Sequence, residues 1–198
     1  MTIGLTGGVA AGKSEALSAF GRLGAATISA DQVVHDLLDQ EPLLSRLKDR
    51  WGEGVAPEGR VDRTVVGAKV FNDPEELAWL EAQIHPLVGG ELHSWLEDLN
   101  PDTEFAVAEI PLLFEGEMFR RFDHTVAIVA GEEVRQKRAR ARGHEGVEGR
   151  ESRQLSQQEK AARADTVIAN DGSPAELEAK LGQLLDELRP ELATGGQG

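Results

Sequence analysis

Cysteine and tyrosine are absent from this chain of 198 residues, methionine occurs twice, and aromatic residues make up only 5% of it. Without cysteine there are no disulfides, thiolate zinc sites or sulfur nucleophiles, and without tyrosine there is no phenolic acid. No apolar run approaches membrane-spanning length. Residues Met1 to Gly8 offer neither a basic leader nor an apolar stretch, so no signal peptide is expected and a cytoplasmic location follows by default. Positive charge is also scarce. The 21 Lys and Arg stand against 35 Asp and Glu, and the net charge of -14 repels nucleic acid and anionic lipid over most of the surface. One stretch is the exception: Arg135, Lys137, Arg138, Arg140 and Arg142 follow one another with no acid between them, either as a solvated helix face or as a place for an anion.

What the chain does have suits one compact domain. It is 40% hydrophobic and 28% charged, and a chain of this length buries roughly 70% of its unfolded surface without needing a staple. Short, almost wholly apolar runs at residues 2–6, 25–30, 105–110, 125–130 and 166–169 read as five strands buried on both faces. Helical stretches separate them, which predicts a parallel five-stranded sheet between two helix layers, an α/β architecture. Between the second and third strands lies a long helical insertion, about 31–103. Asp73-Pro74-Glu75-Glu76 opens a helix there with a capping acid and a first-turn proline. Pro86 is expected to break that helix at His85, because a residue before proline favours extended backbone. Ser173-Pro174-Ala175-Glu176 caps a last helix ending near Leu188. The domain is expected to span 1–190, with a disordered tail at 191–198.

Gly7 to Ser14, GGVAAGKS, matches the phosphate-loop pattern GxxxxGK[ST] and falls between the first strand and a helix beginning at Lys13. A glycine-rich turn at a helix N-terminus lets successive N–H groups converge on phosphate oxygens, which side chains would otherwise block. In such a cradle Lys13 neutralises the β and γ phosphates of a nucleotide, and the Ser14 hydroxyl coordinates the bridging magnesium. The glycine spacing does not fit the GxGxxG of dinucleotide sites, which disfavours NAD.

Two carboxylates follow strands directly. Asp31 after the second strand is placed either to take a proton from an attacking hydroxyl or to cap a helix starting at Gln32. Glu109 ends the third strand, either as a solvated carboxylate or as a group orienting magnesium through water.

The segments GLTGGVAAGKS, SADQVVHDLL, RVDRTVVGAKVF, LEAQIHPLV, EIPLLFEGE and ADTVIANDGS resemble, in order and spacing, those of the bacterial dephospho-CoA kinases, over about residues 2 to 188. The resemblance implies a three-layer P-loop NTPase fold with a helical acceptor-binding insertion and a helical lid at about 140–160. It also implies transfer of a phosphoryl group from ATP, with Mg2+, to the ribose 3′-hydroxyl of dephospho-CoA. It makes Gly8 and Ala10, Ala11, Gly12, Lys13, Ser14 and Glu15 the ATP phosphate loop, and it makes Asp31, with Lys13 and Arg142, the catalytic group. His85, Leu112, Leu113 and Glu115 then lie near the acceptor. Arg142 opens the lid, Arg150 and Gln154 stand on its far side, and Asn170 with Gly172 falls near the adenine. An arginine-rich lid would stabilise the transferring charge and exclude water.

The chain departs from the family pattern at Ala10 and Ala11, where Gly-Ser is usual, and at Glu15, where Thr is usual. An acid beside a phosphate site repels it, so Glu15 is expected to turn outward. The expected partners are small molecules, ATP and dephospho-CoA, with no nucleic acid or membrane, and the chain is expected to be a monomer or a weak homo-oligomer. Two rival readings share the loop: a kinase for another small hydroxyl or a nucleoside monophosphate, and a nucleotide-dependent switch without turnover. The guanine-reading NKxD is absent, which weighs against a GTPase switch.

Overall fold

The computed structural model describes residues 1–71, 73–141 and 154–194. Arg142 and Arg150, with most of the expected lid, lie outside the described residues. The chain divides into two compact units, one formed by Met1–Ser29 and Leu99–Gly198 and the other by Ala30–Asp98.

The first unit holds the sheet. Its strands are β1 (Thr2–Gly7), β2 (Ala26–Ser29), β3 (Ala106–Glu109), β4 (His124–Val129) and β5 (Thr166–Ala169). They run in the order β2-β3-β1-β4-β5, and every pairing is parallel. The two faces differ in side-chain size. Ile3, Leu5, Val107, Val126 and Ile128 share one core with Ala16, Ala19 and Phe20 of α1 (Lys13–Arg22) and with a row of leucines from the C-terminal helix. The opposite face carries Gly4, Thr6, Ala108 and Ala127, and a side chain at Gly4 would run into Phe122 and Leu113. Small residues are needed there because those two side chains pack directly on the strand.

The expectation of a helix ending near Leu188 is corrected. The C-terminal helix runs Pro174–Thr194 and carries Pro190 inside it. Proline lacks the N–H that would bond the carbonyl four residues back. Leu188 on one side of it is buried in the sheet core and Leu192 on the other packs against that core, so apolar contact holds the helix across the defect. Glu191 to Thr194 are therefore helical, and the disordered tail expected at 191–198 does not begin at 191.

The second unit is helical: α2 (Ala30–Leu38), α3 (Leu43–Trp51), α4 (Arg63–Phe71) and α5 (Pro74–Glu97). Leu37, Leu38, Leu43, Leu47, Val66, Leu80 and Ile84 form its own core. Asp73 caps α5 as its sequence predicts, accepting from the N–H groups of Glu75 and Glu76 at 3.0 and 3.1 Å. The predicted break at His85 is absent, because α5 is one helix through Pro86. Ile84 before the proline is buried and Leu87 and Val88 after it pack against the same core, which offsets the lost hydrogen bond. All three tryptophans belong to this unit, with Trp51 and Trp79 edge to face at 5.2 Å.

Candidate active site

The phosphate loop joins β1 to α1 across residues 8–12. Gly12 is the N-cap of α1 at φ 101°, a left-handed conformation that favours glycine, and a Cβ there would collide with the amide of Asn170. No side chain caps the helix. Its first turn is thus a donor-rich, positively polarised end of the kind that binds phosphate. Ala10 has φ 58°, a strained value for a residue with a Cβ. A glycine would carry no such strain at this position. Lys13 Nζ donates back over the loop to the carbonyls of Gly7 and Gly8 at 3.3 and 3.2 Å. Ser14 is exposed, with its carbonyl accepting from Ser18. Glu15 turns to Arg22 at 2.9 Å, and Arg22 also meets Glu178 at 2.7 Å, so its charge is met by a cation.

Two members of the basic stretch brace this loop. They lie on α6 (Glu132–Ala141). Arg135 pairs with Glu132 at 2.9 Å and packs beside Gly8. Arg138 donates to the carbonyls of Ala11 and Asn170 at 3.2 and 2.9 Å. Lys137 and Arg140 are exposed, so the solvated-face reading holds for part of the stretch and fails for the rest. Asn170 follows β5, is 3% exposed, and donates to the Ala11 carbonyl at 2.8 Å. Gly172 lies within the Ser173 capping turn, against Glu176.

A cavity of about 400 Å³ adjoins the loop, lined by Gly8, Val9, Arg135, Gln154 and Gln157 among others. Gln157 opens α7 (Gln157–Arg163) and clamps Ala130 at the end of β4, accepting its N–H at 2.9 Å and donating to its carbonyl at 3.0 Å. Glu115 accepts from the Leu155 N–H at 2.8 Å and pairs with Lys160 of α7 at 3.2 Å. Lys160 also donates to the Pro111 carbonyl, which Thr6 Oγ1 meets as well. Sequence reasoning missed Lys160 and Gln157, which carry no motif and acquire their roles through partners distant in the chain. Leu113 is buried in full and Leu112 partly.

Glu109 is 4% exposed and accepts from Ser29 Oγ at 2.8 Å, which removes the reading as a solvated carboxylate. In the register it stands beside Leu5 of β1 and Ser29 of β2, at the carboxyl ends of the central strands. Asp31 and His85 belong to the helical unit, and both are exposed. Asp31 is the second residue of α2, which begins at Ala30, so it sits inside the first turn and the cap reading, based on a helix start at Gln32, is corrected.

The parallel sheet with this strand order and a phosphate loop between β1 and α1 defines a P-loop kinase. Shikimate kinase from Acinetobacter baumannii shares that fold at a TM-score of 0.53 and 15% identity, over 94% of this chain and 93% of that one. The family model described as dephospho-CoA kinase matches residues 1–176, and the chain belongs to that family. As a member it is an ATP-dependent phosphotransferase of the last step of coenzyme A biosynthesis. The dephospho-CoA kinase of Protochlamydia amoebophila is 33% identical, with 94% of this chain and 96% of that protein covered. A solved protein from Thermus thermophilus superposes at a TM-score of 0.81 with 34% identity, over 95% of this chain and 97% of that one. The dephospho-CoA kinase of Campylobacter jejuni superposes at 0.66 with 26% identity, over 94% and 96%.

Proposed function

We propose that this chain moves the γ-phosphoryl group of ATP to the ribose 3′-hydroxyl of dephospho-CoA at the residues expected from the sequence. The observation that carries the reading is the uncapped first turn of α1 with Lys13 folded over the loop that precedes it. Backbone N–H groups of the loop formed by Gly8 and Ala10 to Glu15 hold the phosphates, and Lys13 exchanges its carbonyl partners for phosphate oxygens. Asp31 accepts or orients the proton of the attacking hydroxyl. His85, Leu112, Leu113, Glu115 and Arg150 serve the acceptor, and Oε2 of Glu115, buried without a hydrogen bond among the described residues, supports that placement. Arg142 meets the transferring charge.

Among the described residues no group of three or more His, Asp or Glu side chains could hold a metal by itself. The donors that fit by placement are the Ser14 hydroxyl, exposed in the first turn of α1, with ATP phosphate oxygens, and Glu109 at the carboxyl end of β3, through water. Mg2+ bound there would neutralise the β and γ phosphate charge. Among the described residues no helix is long and apolar enough to cross a membrane. We place the enzyme in the cytoplasm, where both substrates are small molecules, as a monomer or a weak homo-oligomer.

An acceptor panel with ATP and magnesium tests the reading. ADP release should require dephospho-CoA, and Lys13→Ala should abolish it in a folded protein, because the lost charge acts on the transition state. Release with another hydroxyl acceptor and none with dephospho-CoA would overturn the substrate, and near-normal turnover of Lys13→Ala would overturn the cradle.

A further inference from the structure

The Ala11 carbonyl accepts two side-chain donors from outside the phosphate loop, Nδ2 of Asn170 at 2.8 Å and Nη1 of Arg138 at 3.2 Å. The two donors are themselves tied together. Arg138 Nη1 donates to the Asn170 carbonyl at 2.9 Å and Nη2 approaches Oδ1 of Asn170 at 3.4 Å, while the Asn170 N–H donates to Val129 at 2.7 Å. Both backbone groups of Asn170 and both polar atoms of its buried side chain are thereby engaged, on β4, on α6 and on the loop. Such a group is held to one rotamer.

In a planar trans peptide the carbonyl and the following N–H point in opposite directions. Fixing the Ala11 carbonyl against Asn170 and Arg138 therefore aims the Gly12 N–H away from them. Gly12 heads α1, has no side-chain cap, and sits at φ 101°, where glycine gives the backbone unusual freedom. Left to itself, the peptide between Ala11 and Gly12 could rotate and present an oxygen where an anion must bind. We propose that Asn170 and Arg138 are positioning residues that lock this peptide with its N–H toward the phosphates, so that Asn170 serves phosphate recognition and does not read the adenine. This deepens the nucleotide-site reading given above and rests on it.

The test compares ATP with inorganic tripolyphosphate, which has the phosphates and no base, by calorimetry on the full chain with magnesium. The variants are Asn170→Leu, similar in size and uncharged, and Arg138→Lys, which keeps the charge and loses the fork. Circular dichroism checks their fold. Because Arg138 is only half-buried on α6, its variant remains informative should Asn170→Leu not fold. The expected result is a parallel loss of about tenfold for both ligands, the scale of one hydrogen bond supporting a charged ligand, with the ratio of the two affinities unchanged. Weaker ATP binding with unaltered tripolyphosphate binding would make Asn170 a base reader and overturn the proposal, as would unchanged affinities in the folded variants. Failure of the wild-type chain to bind either ligand would instead overturn the phosphate site itself, and the proposal with it.

Discussion

The ammonium of Lys160 has no exposed surface and lies 3.2 Å from Oε1 of Glu115, a residue 45 positions earlier whose other carboxylate oxygen is buried with no hydrogen bond among the described residues. Removing one member of a buried pair leaves the other charge desolvated and uncompensated. Lys160→Met is expected to lower unfolding free energy by about 3–5 kcal/mol in urea titrations. Glu115→Gln combined with Lys160→Met should recover part of the loss, since no lone charge remains. A single-variant loss under about 1 kcal/mol would mean that Glu115, partly exposed, reaches water once its partner is gone.

The C-terminal helix offers a second measurement. Deleting Pro190 to Gly198 removes Leu192, which packs against the sheet core. Partial burial of one leucine contributes on the order of 1 kcal/mol. The truncated chain should melt roughly 2–4 °C lower by differential scanning calorimetry, with turnover unaffected. An unchanged melting temperature would show that the last helical turn adds nothing.

Where sequence reading succeeds and where it fails follows from the range of the forces involved. The run TIGLTG and the pattern Gly7 to Ser14 show a strand, a loop and the start of α1 because apolar runs, glycine and capping chemistry act within a few residues. Pro86 misleads for the same reason, and Pro190 stands likewise inside a helix that continues past it. Their penalty is local, while Ile84, Val88 and Leu192 repay it through packing that the sequence does not display. Asn170 illustrates the limit at the site. Its segment, ADTVIANDGS, is part of the family resemblance, yet its bond to Ala11 spans 159 positions, and only the fold shows that it holds the phosphate loop. Arg135 and Arg138 could not be separated from Lys137 and Arg140 until the helix phase of α6 was known.

Acid should loosen the first unit through Asp165. Burial pushes its carboxyl up, but the Thr125 hydroxyl and N–H, donating at 2.6 and 2.9 Å, together with nearby His124, outweigh that and hold it below the ordinary 3.8. A group with a lowered folded pKa stabilises above its unfolded value and loses that contribution as pH falls through the folded one. Wild type should therefore exceed Asp165→Asn in urea midpoint at pH 7, with the gap narrowing below about pH 4. A gap that stays constant down to pH 2 would assign the effect to shape or neutral hydrogen bonding instead.

Asp31 separates a catalytic carboxylate from a structural one. Its place in the first turn of α2 makes its charge favourable to the helix dipole, worth about 0.3–1 kcal/mol for an exposed group. Asp31→Asn and Asp31→Ala both remove that charge, so both should cost this small amount in stability, and Trp fluorescence will follow it because all three tryptophans share Asp31's unit. If the carboxylate also takes or orients the proton of the ribose hydroxyl, the two variants lose turnover together, by roughly a hundredfold or more. ATP affinity should stay nearly intact in both, because the group serves the acceptor and the phosphates are held elsewhere. A structural role predicts another pattern, small equal losses of stability with turnover close to wild type. Full activity in a folded Asp31→Asn would end the assignment, and a loss confined to ATP affinity would move Asp31 from the acceptor to the nucleotide.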